Sequence, residues 1–237
     1  MSRQSSALPS PFVVGMLVHD DIVALDHVCP ATVFKLSGAS LHVVGKTLDP
    51  VRTDIGVDIA PTTTFEDCPR HLDILFVPGG LKGTLAAMGD LEVLAFLADR
   101  GARAGHVASV CTGSLLLGAA GLLAGYRATC HWYARDLLAP LGATPCAERV
   151  VVDRNRVTAA GATAGIDLAL TLCAMLRGRA VAENAQLILE YDPAPPFSAG
   201  SPATAEPALV EAILARRGPL LAQAREAVSA PRAHFSV

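Results

Sequence analysis

Short apolar runs rich in valine and isoleucine, separated by longer segments of helical period, constrain this chain more than any other feature. They stand at Phe12–Val18, Leu41–Gly45, Ile74–Val77, Val107–Val110, and Val150–Asp153 with Val157–Ala159. A strand apolar on both faces must be covered on both. The intervening segments Asp26–Ser37, Leu91–Arg100, Thr112–Ala120, Trp132–Leu141 and Thr163–Leu176 carry helical spacing and supply that cover. The pattern predicts an α/β protein whose mostly parallel sheet is sandwiched between helices. Val51–Ile59 is expected to add a small hairpin at an edge. The chain has 237 residues, 51% of them hydrophobic, which suffices for one large core and one domain.

The ends of the chain differ from its middle. Residues 1–11 hold one arginine and no apolar run, so they read as a flexible arm and not as a secretory leader. Residues 12–192 form the α/β unit. The proline-rich stretch after Tyr191 cannot be helix or inner strand, because prolines remove donors and fix φ. It is expected to be an extended loop, able to cover a pocket or a subunit partner. A C-terminal helix from about Ala205 to Val228 then packs on the same domain, completing residues 193–237.

Charge and cysteine usage narrow the function. A formal net charge of −3 gives no electrostatic reason for a nucleic-acid or anionic-membrane partner. Val107–Gly125 is uncharged and long enough to span a bilayer, but four glycines and several hydroxyls break it into strand, turn and helix. Val157–Leu176 carries Asp167 near its middle, where a membrane would penalise it by about 2.5–3.5 kcal/mol. Both are core elements. The six cysteines form no C-x-x-C pair and fit a reducing, cytoplasmic setting. The histidines lack metal-ligand spacing, and G-x-G-x-x-G and Walker loops are absent, so no metal or nucleotide cofactor is expected.

The strongest chemical signal is Ser109-Val110-Cys111-Thr112-Gly113-Ser114, between an apolar strand and an apolar helix. A nucleophile on such an elbow sits in a strained backbone and needs small residues two positions either side, which Ser109 and Gly113 provide. The helix N-terminus beneath the sulfur would favour a thiolate, and the Thr112 amide points where an oxyanion donor is useful. Taken by itself, Cys111 is also consistent with a small core residue. A second strand ends in Pro78-Gly79-Gly80, where the backbone can approach a ligand closely and the Gly80 amide could be a second oxyanion donor. Asp26 follows the first strand and can reach the same sheet edge. A carboxyl beside a thiolate would titrate high and serve as general acid and base, although Asp26 could equally be a helix N-cap, with Pro30 in the first turn. His131, next to Trp132, is either a Cys–His partner or a packing residue, and ranks below Asp26.

Together these segments resemble the ThiJ/PfpI superfamily, with its class I glutamine amidotransferase-like, flavodoxin-like three-layer sandwich. Within it they look most like the bacterial isonitrile hydratases. The resemblance is carried by Leu25-Asp26 with Pro30, Pro61 to Phe65, Val77 to Gly80, Ser109 to Gly125, Arg127 to Thr129, His131-Trp132, Leu138 to Ala143, Ala164 to Asp167, and Glu190 to Pro202. It implies that Cys111 is the nucleophile, that Asp26 is the carboxyl bonded near it, and that Thr112 assists. The implied reaction is hydration of an isonitrile to an N-substituted formamide through a cysteine thioimidate, without cofactor, in a homodimer. The protease branch has a histidine directly after its cysteine where Thr112 stands here, which counts against peptidase activity. This chain departs from the hydratases at Val28 and Cys29 (Thr and Gly there), at Ala159-Ala160-Gly161 (a glycine-rich turn there) and at Cys130 (Thr there). Two alternatives stay open: a non-catalytic sensing domain, and a cysteine-dependent stress enzyme acting on small carbonyls. Related sensing domains occur in AraC-type regulators, which carry a DNA-binding region that is not expected in the short stretch after Pro202.

Overall fold

The computed structural model describes residues 11–229. The expected arm at residues 1–11 therefore lies, apart from Pro11, outside the described residues, as do residues 230–237. In chain order the elements are β1 (Val13–Leu17), α1 (Ala24–Leu36), β2 (Ser40–Gly45), β3 (Val51–Arg52), β4 (Asp58–Ile59), β5 (Thr63–Thr64) and β6 (Ile74–Val77). They continue with α2 (Leu81–Met88), α3 (Leu91–Arg103), β7 (His106–Val110), α4 (Gly113–Ala119), β8 (Arg127–Ala128), a 3₁₀ turn (Arg135–Leu138) and β9 (Thr144–Pro145). The last are β10 (Val150–Asp153), β11 (Arg156–Ala159), α5 (Ala164–Arg177), α6 (Arg179–Ile188) and α7 (Pro207–Ser229).

The central sheet runs β10-β11-β7-β6-β1-β2-β5, and every neighbour is parallel except the β10–β11 hairpin. Alternation along its strands divides the core in two. On β6, Ile74 and Phe76 join one apolar cluster with Phe34 of α1 and Leu168 of α5, while Leu75 and Val77 join the other with Leu97 of α3 and Leu116 of α4. Helices α1, α5 and α6 thus cover one face, and α2, α3, α4 and α7 the other. The expected three-layer sandwich is the observed one.

Four expectations need correction. Trp132–Leu141 is not an α-helix; only Arg135–Leu138 winds, as a 3₁₀ turn. Pro140 has no N–H to bond back to Asp136, and Gly142 at φ 86° turns the chain away. The Val51–Ile59 hairpin is a separate two-stranded sheet, while β5 takes the edge of the main one. Helix α1 starts at Ala24, so Asp26 is not its N-cap: Val23 holds that place, and Asp54 Oδ1 accepts the Ala24 N–H at 2.9 Å. Pro30 consequently lies inside the helix, and its missing N–H leaves the Asp26 carbonyl without its helical donor.

Helices α2 and α6 have no counterpart among the sequence expectations. Gly83 permits α2 to lie against the loop after β1, since a Cβ there would stand 1.8 Å from the Asp20 carbonyl oxygen. Helix α7 buries Leu221, Ala224 and Val228 and packs on α2 and the 3₁₀ turn. Phe197, in the proline-rich loop, is 80% exposed, so its ring does not pack on its own chain.

Candidate active site

Strands β1, β6 and β7 lie side by side and parallel, so the segments leaving their carboxyl ends meet. After β7 the chain turns directly into α4, and Cys111 occupies the turn at φ 58°. That left-handed backbone costs a non-glycine residue roughly 1–2 kcal/mol. Surrounding bonds hold it: the Cys111 amide donates to Ala159 O at 3.1 Å, and its carbonyl accepts from His131 N at 3.4 Å. Ser109 and Ser114 pair their hydroxyls at 2.8 Å across the elbow, and Ser114 Oγ donates to Thr129 O at 2.7 Å. Gly113 has to be glycine, because a Cβ there would come within 2.3 Å of Val77 O.

Asp26, in the first turn of α1, is completely buried. Its Oδ2 accepts the Gly79 N–H at 2.9 Å; its Oδ1 has no hydrogen-bond partner, and the carboxyl interacts with the Cys111 thiol. Gly79 is the spacer between the two groups. A Cβ on it would meet Thr112 N at 2.6 Å, and Asp26 Oδ2 and Cys111 Cβ at 2.8 Å each.

The electrostatics follow from burial. Desolvation pushes the Asp26 carboxyl up to about 7, against the Gly79 hydrogen bond and the thiol contact that favour the carboxylate. Burial also drives the Cys111 thiol well above its ordinary value, the Asp26 charge adds to this, and the Thr112 N–H opposes it. Burial and the neighbouring carboxylate thus work against the thiolate that the helix N-terminus was expected to favour. One N–H and a seven-residue helix do not offset loss of water and a neighbouring carboxylate.

The two glycine amides expected to face substrate are engaged within the protein. Gly79 N bonds Asp26, and Gly80 N donates to Thr112 Oγ1 at 3.0 Å. Gly80 adopts φ 131°, and a Cβ there would lie 2.3 Å from Asp21 O. Thr112 Oγ1 also shares a hydrogen bond with Thr84 Oγ1 of α2 at 2.9 Å, while its amide serves the sulfur. Thr112 thus fastens the Pro-Gly-Gly turn to the elbow, and Gly80 is not a free oxyanion donor.

His131 is half-buried, with its ring 3.8 Å from that of Tyr133, centroid to centroid. Desolvation, with the Arg217 charge adding to it, lowers His131 to about 4, so it is neutral near pH 7. Tyr133 was not anticipated. Burial raises its phenol, and the charges of Cys111, Arg217, Cys130 and Asp26 all act on it. Its only sequence signal was the aromatic run His131-Trp132-Tyr133. Thr84 carried none, because it reaches the site from a helix distant in sequence.

A buried thiol–carboxylate pair at a strand-to-helix elbow, in a doubly covered parallel sheet, defines a class of cysteine-centred α/β proteins. The DJ-1/PfpI family model matches residues 13–175, and the chain belongs to that family. It is 49% identical to an isonitrile hydratase of Pseudomonas putida, over 88% of this chain and 91% of that one. A Parkinson disease protein 7 homolog of Danio rerio is 31% identical over 70% of this chain and 91% of its own length. Among solved structures, a ThiJ/PfpI family protein from Pseudomonas syringae superposes with a TM-score of 0.91 at 49% identity, covering 97% of this chain and 96% of that one.

Proposed function

We propose that this protein hydrates isonitriles, R–N≡C, to N-substituted formamides, with Cys111 as nucleophile and Asp26 as the proton carrier. The observation that carries the reading is the buried Asp26 carboxyl beside the Cys111 thiol, titrating near 7, where it can both take and give a proton. The 49% identity to an isonitrile hydratase supports the choice of substrate.

The reaction begins with Cys111 as thiol and Asp26 as carboxylate. Asp26 takes the thiol proton, and the sulfur attacks the terminal carbon of the isonitrile. The new carboxylic acid delivers its proton to that same carbon, giving the thioimidate R–N=CH–S–Cys111 and restoring the carboxylate. Water then loses a proton to Asp26 as its oxygen adds to the carbon, and that proton passes to the nitrogen. The C–S bond breaks, R–NH–CHO leaves, and the remaining water proton returns to the sulfur. The net change is R–N≡C plus water to formamide, with no redox step. Because Asp26 carries a proton only between steps, the site needs one negative charge throughout. Gly79 holds that charge in place through Oδ2.

His131 is a neutral wall residue in this scheme, and Thr112 positions the elbow. A homodimer, as the family resemblance implies, would cover the exposed Leu25 and Val28 of α1 and the adjoining Ile55 and Val57 of the β3–β4 hairpin. Sedimentation of the purified chain reads that directly. The function is tested with cyclohexyl isocyanide: the formamide should form with the native chain and not with Cys111→Ala. Equal rates in the two would refute the covalent route.

A further inference from the structure

The clasp between the elbow and α2 is built from hydroxyls that forgo their ordinary helical partners. Thr112 stands at the N-cap of α4, where a threonine hydroxyl usually accepts a free N–H of the first turn. It makes no such bond and instead accepts the Gly80 N–H at 3.0 Å. Thr84 lies inside α2, where a threonine hydroxyl often bonds the carbonyl four residues back. Thr32 of α1 and Thr171 of α5 do so, each at 2.8 Å, to Val28 O and Asp167 O. Thr84 Oγ1 instead meets Thr112 Oγ1 at 2.9 Å, and it is the Thr84 amide that donates to Gly80 O, at 2.7 Å. Gly80 is thereby held at both its polar groups, its N–H by Thr112 and its carbonyl by Thr84. Both threonines are completely buried, so water cannot replace either bond.

The peptide that joins Gly79 to Gly80 links this clasp to Asp26. Its N–H is the one held by Thr112, and its carbonyl, Gly79 O, accepts the Val23 N–H at 3.0 Å. Val23 is the N-cap of α1, the helix that carries Asp26 in its first turn. The preceding N–H, that of Gly79, holds Asp26 Oδ2 at 2.9 Å. We infer that Thr84 is a positioning residue for the reaction: its hydroxyl fixes the Thr112 side chain, which through Gly80 keeps Asp26 in register with Cys111. This deepens the hydratase reading and rests on it for the reaction, while the bonds themselves are independent of the substrate. Without the Thr84 hydroxyl, Thr112 Oγ1 keeps one bond where it had two, and its side chain can rotate away from Gly80. The turn then relaxes, and the Gly79 N–H draws back from the carboxyl.

The test compares the native full chain with Thr84→Val, Thr84→Ala and Thr84→Ser. Valine keeps the shape without the hydroxyl, alanine cannot overpack, and serine keeps the hydroxyl. Thermal melting shows that each is folded. Thr84→Val and Thr84→Ala should lower kcat on cyclohexyl isocyanide about three- to tenfold, with KM within about twofold, because misplacement acts on the chemical step. They should also move the pH–rate limb near 7 upward by roughly half a unit, since the Gly79 hydrogen bond favours the carboxylate and its weakening raises Asp26. Thr84→Ser should restore both. A second readout needs no turnover: the rate of iodoacetamide labelling at Cys111 across pH 5–9, which responds to Asp26 because the two groups interact. If no isonitrile is hydrated but this labelling limb moves in Thr84→Val and Thr84→Ala and not in Thr84→Ser, the proposed reaction falls and the positioning role stands. If isonitriles are hydrated and Thr84→Val and Thr84→Ala keep the native kcat and both limbs, or Thr84→Ser fails as they do, the positioning role falls and the reaction stands.

Discussion

Replacing Asp26 by asparagine should make the folded protein more stable at neutral and alkaline pH, while ending turnover. The asparagine keeps the shape and the oxygen that accepts the Gly79 N–H. It removes only the charge. In the fold the Asp26 carboxyl titrates at about 7, against 3.8 for an unperturbed aspartate, because burial removes its water. About three pKa units at 1.36 kcal/mol each correspond to roughly 4 kcal/mol. An acid with a raised folded pKa binds its proton more tightly in the native state. Its contribution is therefore complete below the unfolded value near 3.8 and is lost as pH rises through 7. Urea unfolding of both proteins between pH 4.5 and 9, under reducing conditions, isolates this term, since other groups cancel in the difference. The native chain should lose about 1.4 kcal/mol per pH unit relative to Asp26→Asn up to pH 7, then level off. A difference that stays flat from pH 5 to 8 would show Asp26 ionising as if solvated, and the proton-carrier argument would fail with it.

Other outcomes follow from the same geometry. Cys111→Gly should be inactive yet melt higher than Cys111→Ala, by about 1 kcal/mol of stability, because glycine accepts the left-handed turn without strain. Equal melting of the two would mean the elbow is not strained. Gly79→Ala should destabilise by about 1–3 kcal/mol and cut activity, since its methyl would press on the Thr112 amide and the Asp26 and Cys111 atoms together; full activity with native stability would contradict that packing. His131→Gln should leave the position of the pH–rate limb near 7 unchanged, because His131 titrates at about 4 and Asp26 at about 7. A shifted limb in that variant would return the histidine to the chemistry.

The strands and the elbow were legible in the sequence because they are local. Apolar runs such as Ile74–Val77 must be buried whatever surrounds them, and a cysteine between a β run and a small-residue helix, with Ser109 and Gly113 at its sides, reads as a tight turn in any context. Local pattern misled where short elements depend on neighbours. The helical spacing of Trp132–Leu141 yields a 3₁₀ turn because Pro140 and Gly142 end it, and α2 forms across Gly83 because the loop after β1 leaves room only for a glycine. The behaviour of the site was not in the pattern at all. That Asp26 titrates near 7 and that Gly80 bonds Thr112 instead of facing substrate both depend on parts of the chain far apart in sequence. Residue types and spacing determine which groups can react. Only the folded packing decides how much water each one loses and which partner occupies its hydrogen bonds, and those two quantities set the chemistry.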